Sequence, residues 1–281
     1  MQARPAPPYV GHFPVAPGFS TTTLTIAGAA RSVETYLPAQ RPASPALVIA
    51  FHGTSGGSHD LFDATELVEL ADQHGFIVAA PLARMRGESD GDWDNHSGSD
   101  RYWETFPNTD PDANPDLILV RAIIAEAQAR FGVDPQKVHT LGYSNGGFFA
   151  LRAAVALGDQ IAAFAEAAAG LVHCPSTGDC AFRGAGASCE ALASQASWCA
   201  CDGPEKPIGL TTDRRVPPGY LAHNTWDDTV SAHYSCALAA RMRALGADVT
   251  LALWSDASAG HAIAPGFATA AWAFLAAHPL P

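Results

Sequence analysis

Lysine is almost missing from this chain: of 281 residues only Lys137 and Lys206 are lysines, and the 16 Lys+Arg face 28 Asp+Glu for a formal net charge of −12. A protein that binds phosphate backbones gains affinity by presenting a basic patch that releases counterions, so this balance argues against a nucleic-acid partner. Long apolar runs are also missing. A membrane span needs roughly 18 consecutive apolar residues, and the longest candidate, Ile161 to Val172, is interrupted by Glu166. Neither G-x-x-x-x-G-K-[ST] nor G-x-G-x-x-G occurs, which removes the common phosphate-cradling loops. Zinc modules are excluded by spacing, because the six cysteines form no C-x-x-C pair and have no H-x(3–5)-H partner. The opening Met1-Gln2-Ala3-Arg4-Pro5 lacks the apolar core of a signal peptide, so an exported form is expected to carry its leader elsewhere.

What is present is a globular composition, 48% hydrophobic and 16% charged, at a length that accommodates one or two domains. Residues 1–18 are rich in Pro and Gly and read as an irregular arm. Thr21–Ile26 and Arg31–Leu37 alternate with period two around small residues, which predicts a β-hairpin. From Pro45 the pattern becomes short apolar runs separated by helical-period segments, as in parallel β-α-β units buried on both faces. The strands are expected at Ala46–Phe51, Phe76–Ala80, Val138–Leu141, Ala162–Ala167, Tyr220–His223 and Val249–Trp254. The helices are expected at Ala64–His74, Pro115–Phe131, Gly146–Leu157, Ser231–Leu245 and Phe267–Ala277. The fold class is therefore α/β: one domain over residues 19–281 on a doubly wound, mostly parallel sheet, with an N-terminal antiparallel hairpin and two insertions, residues 82–114 and 171–218. Five cysteines, Cys174, Cys180, Cys189, Cys199 and Cys201, gather in the second insertion, with Cys236 apart. An even count in a Gly/Ser-rich segment predicts disulfides and an oxidising compartment, hence a secreted or periplasmic protein.

Gly142-Tyr143-Ser144-Asn145-Gly146 falls between an expected strand and an expected helix. G-x-S-x-G in that context predicts a sharp turn that exposes the serine hydroxyl, with glycines where side chains would collide and the Asn145 N–H available to an oxyanion. The Gly-rich loop His52-Gly53-Thr54-Ser55-Gly56-Gly57 follows a buried strand and can supply a second donor, assigned to the Thr54 N–H; His52 reads as structural. An acid and a base are then required later in the chain. Asp227, with Asp228 as its competitor and Asp256 behind it, follows one strand, and His261 follows the next, at the sheet edge where open α/β folds bind ligands. His233 and His278 are expected on the surface, and Asp228 is expected to cap the following helix.

His52-Gly53-x-x-Gly56-Gly57, Gly142-Tyr143-Ser144-Asn145-Gly146-Gly147, His223-x-Thr225-x-Asp227-x-x-Val230 and Gly260-His261 together resemble the polyhydroxybutyrate-depolymerase-type and feruloyl-esterase-type secreted esterases of the α/β-hydrolase superfamily. The resemblance spans roughly residues 20–280. It implies an α/β-hydrolase fold, Ser144 as nucleophile, Asp227 rather than Asp228 as acid, His261 as base, and Thr54 and Asn145 as oxyanion donors. The chain departs from the family where Asn224 replaces a usual glycine and where Ala259-Gly260-His261-Ala262-Ile263 stands in place of a Gly-rich lead and Trp-Pro pair. The expected activity is carboxylic-ester hydrolysis without cofactor or metal, on a plant-polymer ester of feruloyl or acetyl type or an aliphatic or aromatic polyester such as polyhydroxybutyrate, by a monomer. A peptidase or thioesterase on the same triad is the alternative, and an inactive hydrolase-like binding module a more remote one. Tyr143, Trp226 and Trp103 are the candidate substrate contacts, Trp103 lying in the first insertion with Trp93, His96, Tyr102 and Phe106. In that insertion Asp90-Gly91-Asp92-Trp93-Asp94-Asn95 begins like a calcium loop, but Asn95 and Arg101 stand where an EF-hand needs Gly and Glu, leaving only a looser calcium site open.

Overall fold

The computed structural model describes residues 7–85, 100–105, 110–170, 172–173, 189, 206–207, 210 and 214–281. Trp93, His96, Phe106, the acidic run 90–95, and Cys174, Cys180, Cys199 and Cys201 lie outside the described residues.

The architecture begins with β1 (Tyr9–Val10), β2 (Gly18–Ile26) and β3 (Ala29–Leu37), all antiparallel. The hairpin expectation holds, because alternate residues of β2 and β3 turn inward, while Ala27 and Gly28, at φ 51° and 82°, form the two-residue turn. There follow β4 (Leu47–Phe51), α1 (Asp60–Ala64), α2 (Leu67–His74), β5 (Ile77–Pro81), α3 (Pro115–Phe131), β6 (Val138–Tyr143), α4 (Asn145–Ala156) and β7 (Ala163–Ala167). The short pair β8 (Val172–His173) and β9 (Lys206–Pro207) precedes β10 (Gly219–Asn224), α5 (His233–Ala244), β11 (Val249–Trp254) and α6 (Phe267–Ala276). The main sheet runs β1-β2-β3-β5-β4-β6-β7-β10-β11, and every pairing from β5 to β11 is parallel.

The central strands β4, β5, β7 and β10 are buried along their whole length, which is why they read as continuous apolar runs. One face packs a core containing Phe131, Phe148, Phe149 and Leu238 from α3, α4 and α5; the other packs Leu67, Leu70, Phe267 and Leu275 from α2 and α6. Helix α3 starts where Asn114 Oδ1 accepts from the backbone N–H groups of Asp116 and Leu117 at 2.9 and 3.0 Å, with Pro115 in the first turn.

Two expectations are corrected. The helix read as Ala64–His74 starts only at Leu67, as α2, and Ala64 instead ends a separate short helix, α1, because Thr65 is extended and its hydroxyl bonds back to Leu61 O at 2.5 Å. His233 is not a surface residue: it opens α5 with its side chain buried, since the first turn of that helix faces the sheet. Among the described residues no helix is long and apolar enough to cross a membrane. A disulfide joins Cys189 in the second insertion to Cys236 on α5, so one of the expected bridges is present.

Candidate active site

β6 ends at Tyr143 and α4 begins at Asn145, leaving Ser144 alone in the turn with φ 53° and ψ −125°. A non-glycine residue in that region stores on the order of 1–3 kcal/mol of strain, held here by the surrounding packing. Ser144 N donates to Ala167 O on β7 at 2.9 Å, and Ser144 O accepts from Gly147 N at 2.8 Å and Phe148 N at 3.1 Å. The flanking glycines are required by close approach. A Cβ on Gly142 would stand 2.1 Å from Gly146 O, and one on Gly146 would stand 2.1 Å from Phe51 O.

His261 reaches this turn from the loop after β11. Its Nε2 lies 3.0 Å from Ser144 Oγ, and its Nδ1 lies 2.7 Å from Asp227 Oδ2 in the loop after β10. A carboxylate can only accept, so the imidazole proton sits on Nδ1 and the Nε2 lone pair faces the serine hydroxyl. That arrangement can take the Ser144 proton as Oγ attacks a carbonyl. Asp227 is 3% exposed, whereas Asp228 lies exposed on the same loop. Asp227 Oδ1 accepts from Thr229 N at 2.9 Å and Val230 N at 2.8 Å. Burial works to raise the Asp227 carboxyl, but hydrogen bonds from His223 and His261 outweigh it and hold the group well below the usual carboxylate range. Asp227 is therefore a carboxylate at neutral pH.

The loop after β4 lies against the serine, with a Cβ on Gly53 falling 3.4 Å from Ser144 Cβ. His52 is buried and structural, as expected: Nδ1 donates to Gly53 O at 2.6 Å and Nε2 accepts from Ala83 N at 3.1 Å, while burial lowers its pKa. Thr54 is half-buried at the crest of this loop, beside Ser55, which is held at φ 59° by its N–H to Arg101 O and its hydroxyl to Asp100. Asn145 opens α4, so its N–H has no carbonyl four residues earlier within the helix to bond. Its side chain is buried, Oδ1 accepting from Trp103 N at 2.7 Å.

No family model matches the chain. It is 29% identical over 170 residues to "Putative esterase NocK" of Nocardia uniformis subsp. tsuyamanensis, covering 58% of this chain and 45% of that protein. It is 26% identical over 118 residues to "Feruloyl esterase B" of Neurospora crassa, covering 40% and 35%. The matches thus span less than half the length of these curated relatives. In three dimensions it is similar to the acetyl xylan esterase from Aspergillus awamori, with a TM-score of 0.57 at 16% identity over 92% of this chain and 99% of that one. The chain has the α/β-hydrolase fold.

Within that hydrolase fold, the structure brings Ser144, Asp227 and His261 together; Asn145 follows the serine at the start of α4, and Thr54 lies in the loop whose Gly53 approaches it. The three candidate substrate contacts separate. Trp103 is corrected from substrate contact to core: 1% exposed, it stacks on Phe149, meets Phe51 edge-on, and donates from Nε1 to His52 O at 2.9 Å. Tyr143 is half-buried, and its hydroxyl donates to His261 O at 2.8 Å, a bond that supports the histidine; burial pushes the phenol up to about 12. Trp226 is 41% exposed beside Asp227, its Nε1 tied to Ser255 Oγ at 2.9 Å, which leaves ring surface free at the rim.

Asn224 is a neighbour of the triad that spacing did not point to. It is fully buried and joins the two loops: Nδ2 donates to Asp256 O at 2.8 Å and Gly260 O at 2.9 Å, and Oδ1 accepts from Asp256 N at 3.0 Å and Trp226 N at 3.2 Å. Its only signal in the sequence is the departure from glycine. Asp228 does not cap α5, which has no side-chain cap; among the described residues its carboxylate accepts from the neighbouring Thr229 hydroxyl at 3.5 Å.

Proposed function

We propose that the chain is a serine carboxylic-ester hydrolase that works through an acyl-enzyme on Ser144. The carrying observation is the aligned series Ser144 Oγ, His261 Nε2 at 3.0 Å and His261 Nδ1 to Asp227 Oδ2 at 2.7 Å, on a serine held at φ 53°. His261 accepts the Ser144 proton as Oγ attacks the ester carbonyl, and Asp227 stabilises the imidazolium that forms. The N–H groups of Thr54 and Asn145 bind the oxyanion of the tetrahedral intermediate, each contributing about 3–4 kcal/mol. His261 then passes its proton to the departing alcohol. Water, deprotonated by the same imidazole, attacks the acyl carbonyl and releases the acid and free Ser144.

For substrate, the reading is an ester of a plant polymer, feruloyl or acetyl, with the exposed ring of Trp226 at the rim offering a stacking face to an aromatic acyl group or a sugar. The names of the feruloyl esterase relative and the acetyl xylan esterase neighbour support that class over an aliphatic polyester. The Cys189–Cys236 disulfide supports a secreted or periplasmic location.

The test is covalent labelling by a fluorophosphonate, read by peptide mass spectrometry. A single adduct on Ser144, lost in Ser144→Ala, is expected; no adduct, or one that survives the substitution, overturns the mechanism. Turnover of methyl ferulate, acetylated xylan, polyhydroxybutyrate and a peptide anilide then ranks the substrate classes. Faster anilide turnover would replace the esterase reading with a peptidase.

A further inference from the structure

Behind the triad lies a second line of buried polar groups that the mechanism above does not use. His223 on β10, Ser235 on α5 and Glu166 on β7 are each fully buried. His223 Nε2 carries a proton that it gives chiefly to Val230 O at 2.8 Å, and the same nitrogen lies 3.4 Å from Asp227 Oδ2, within ion-pair reach of that carboxylate. On the other side of the ring, Nδ1 lies 2.7 Å from Ser235 Oγ. That hydroxyl also sits 2.9 Å from Ala169 O and 3.2 Å from Glu166 Oε1. The ring is thereby gripped from both ends, and it can neither flip nor swing away from Asp227 without abandoning a buried hydrogen bond.

We propose that His223 is a positioning residue for the reaction, presenting a second N–H to the same Asp227 oxygen that receives His261 and so fixing both the orientation and the basicity of that carboxylate. This rests on the serine-hydrolase reading. A second donor at Oδ2 draws on the charge that this carboxylate presents to His261 and holds its plane from the β10 side. The other titratable groups around the pair are Glu166 beneath Ser235, Tyr143 with its hydroxyl on His261 O, and the exposed Asp228 and Asp256 carboxylates on the two loops. Among the described residues, the groups that meet the Asp227 carboxylate are His223, His261 and the backbone N–H groups of Thr229 and Val230.

The experiment is the rate of Ser144 fluorophosphonylation as a function of pH, which follows activation of the nucleophile without a known substrate. His223→Phe keeps a ring of similar size but has no donor. Its labelling is expected to slow roughly tenfold, with the midpoint of the acid limb moved upward by about half a pH unit or more. His223→Gln restores an N–H at that reach and is expected to return the midpoint to the wild-type value. A folded His223→Phe with the wild-type rate and midpoint overturns the proposal, as do Phe and Gln variants displaced alike, which would mean packing alone. If His223→Phe does not fold, Ser235→Ala takes its place, since it loosens the grip on Nδ1 without touching Asp227 or His261; an unmoved acid limb there also overturns the proposal. Failure of the wild type to label removes the hydrolase reading and this inference together, whereas a labelled wild type with indifferent variants removes this inference alone.

Discussion

Asn224 Nδ2 donates to Gly260 O, one residue before His261, and the same side chain holds both backbone groups of Asp256 in the His261 loop. The Asp227 loop and the His261 loop are therefore fastened to each other by one buried amide. Asn224→Ala leaves two carbonyls and two N–H groups without that partner, at about 1–3 kcal/mol for each group that stays dry. The expected outcome is a lower urea midpoint and a fall in kcat larger than the rise in KM, because the loss is in how His261 is aimed.

Asp227→Asn keeps the shape of the side chain but presents an amide where His261 needs an acceptor, favouring the wrong imidazole tautomer. Ester turnover is expected to drop by about 10³–10⁴-fold with little change in KM. The paired Asp228→Asn lies exposed and is expected to remain within about twofold of wild type, which checks the assignment between the two neighbouring aspartates.

Trp103 and Trp226 should part company on substitution. Trp103→Ala opens a cavity beside Phe51 and Phe149 and is expected to cost about 3–5 kcal/mol in chemical denaturation. Trp226→Ala is expected to leave stability nearly unchanged and to raise KM for aromatic acyl esters more than for acetyl esters. Equal KM values across the two ester classes would count against a stacking role.

Burial pushes the Glu166 carboxyl up to about 8. In the unfolded chain it would release its proton near the ordinary value of 4.5. Below that the protonated side chain's contribution to stability is complete. Between that value and about 8 the unfolded state sheds a proton that the folded state keeps, so stability falls by up to about 1.4 kcal/mol per pH unit. Glu166→Gln cannot ionise. Its urea midpoint is expected to match wild type near pH 4 and to exceed it increasingly toward pH 8.

The Cys189–Cys236 bridge closes a loop with a sequence separation of 47 residues, worth about 4 kcal/mol in the loop-closure model. Cys236→Ser is expected to lower the thermal midpoint. Ser144 should remain reactive well below that midpoint, because neither cysteine touches the triad.

The parts legible in the sequence were those with a local signature. Strand-turn-helix context marked Ser144; alternation marked the hairpin; apolar runs buried on both faces marked the parallel strands, leaving Asp227 and His261 at the carboxyl ends of two of them. The less legible parts depend on contacts distant in the chain. Glu166 stood out only as the residue that broke an apolar run, yet an acid inside a buried strand is a sign of a partner, here Ser235 some 69 residues later. The aromatic cluster around Trp103 could equally have lined a groove or filled a core, since burial is decided by Phe51 and Phe149 from other elements. Asn224 drew notice as an exception to a family pattern, and only the proximity of the next loop gives it a purpose.

The pairing of β10 with β11, His223 opposite Leu253 and Asn224 opposite Trp254, sets the level at which the two loops leave the sheet. β11 is an edge strand of the main sheet, with no fully buried position along its length, so packing restrains it less than the central strands. A slip of one residue there would carry His261 about 3.3 Å along the sheet and invert which side chains face the helices. An alignment that the chemistry needs to within a fraction of an ångström is thus delegated to an edge, and substitutions on the far side of β11 can silence the protein while every reacting group stays intact.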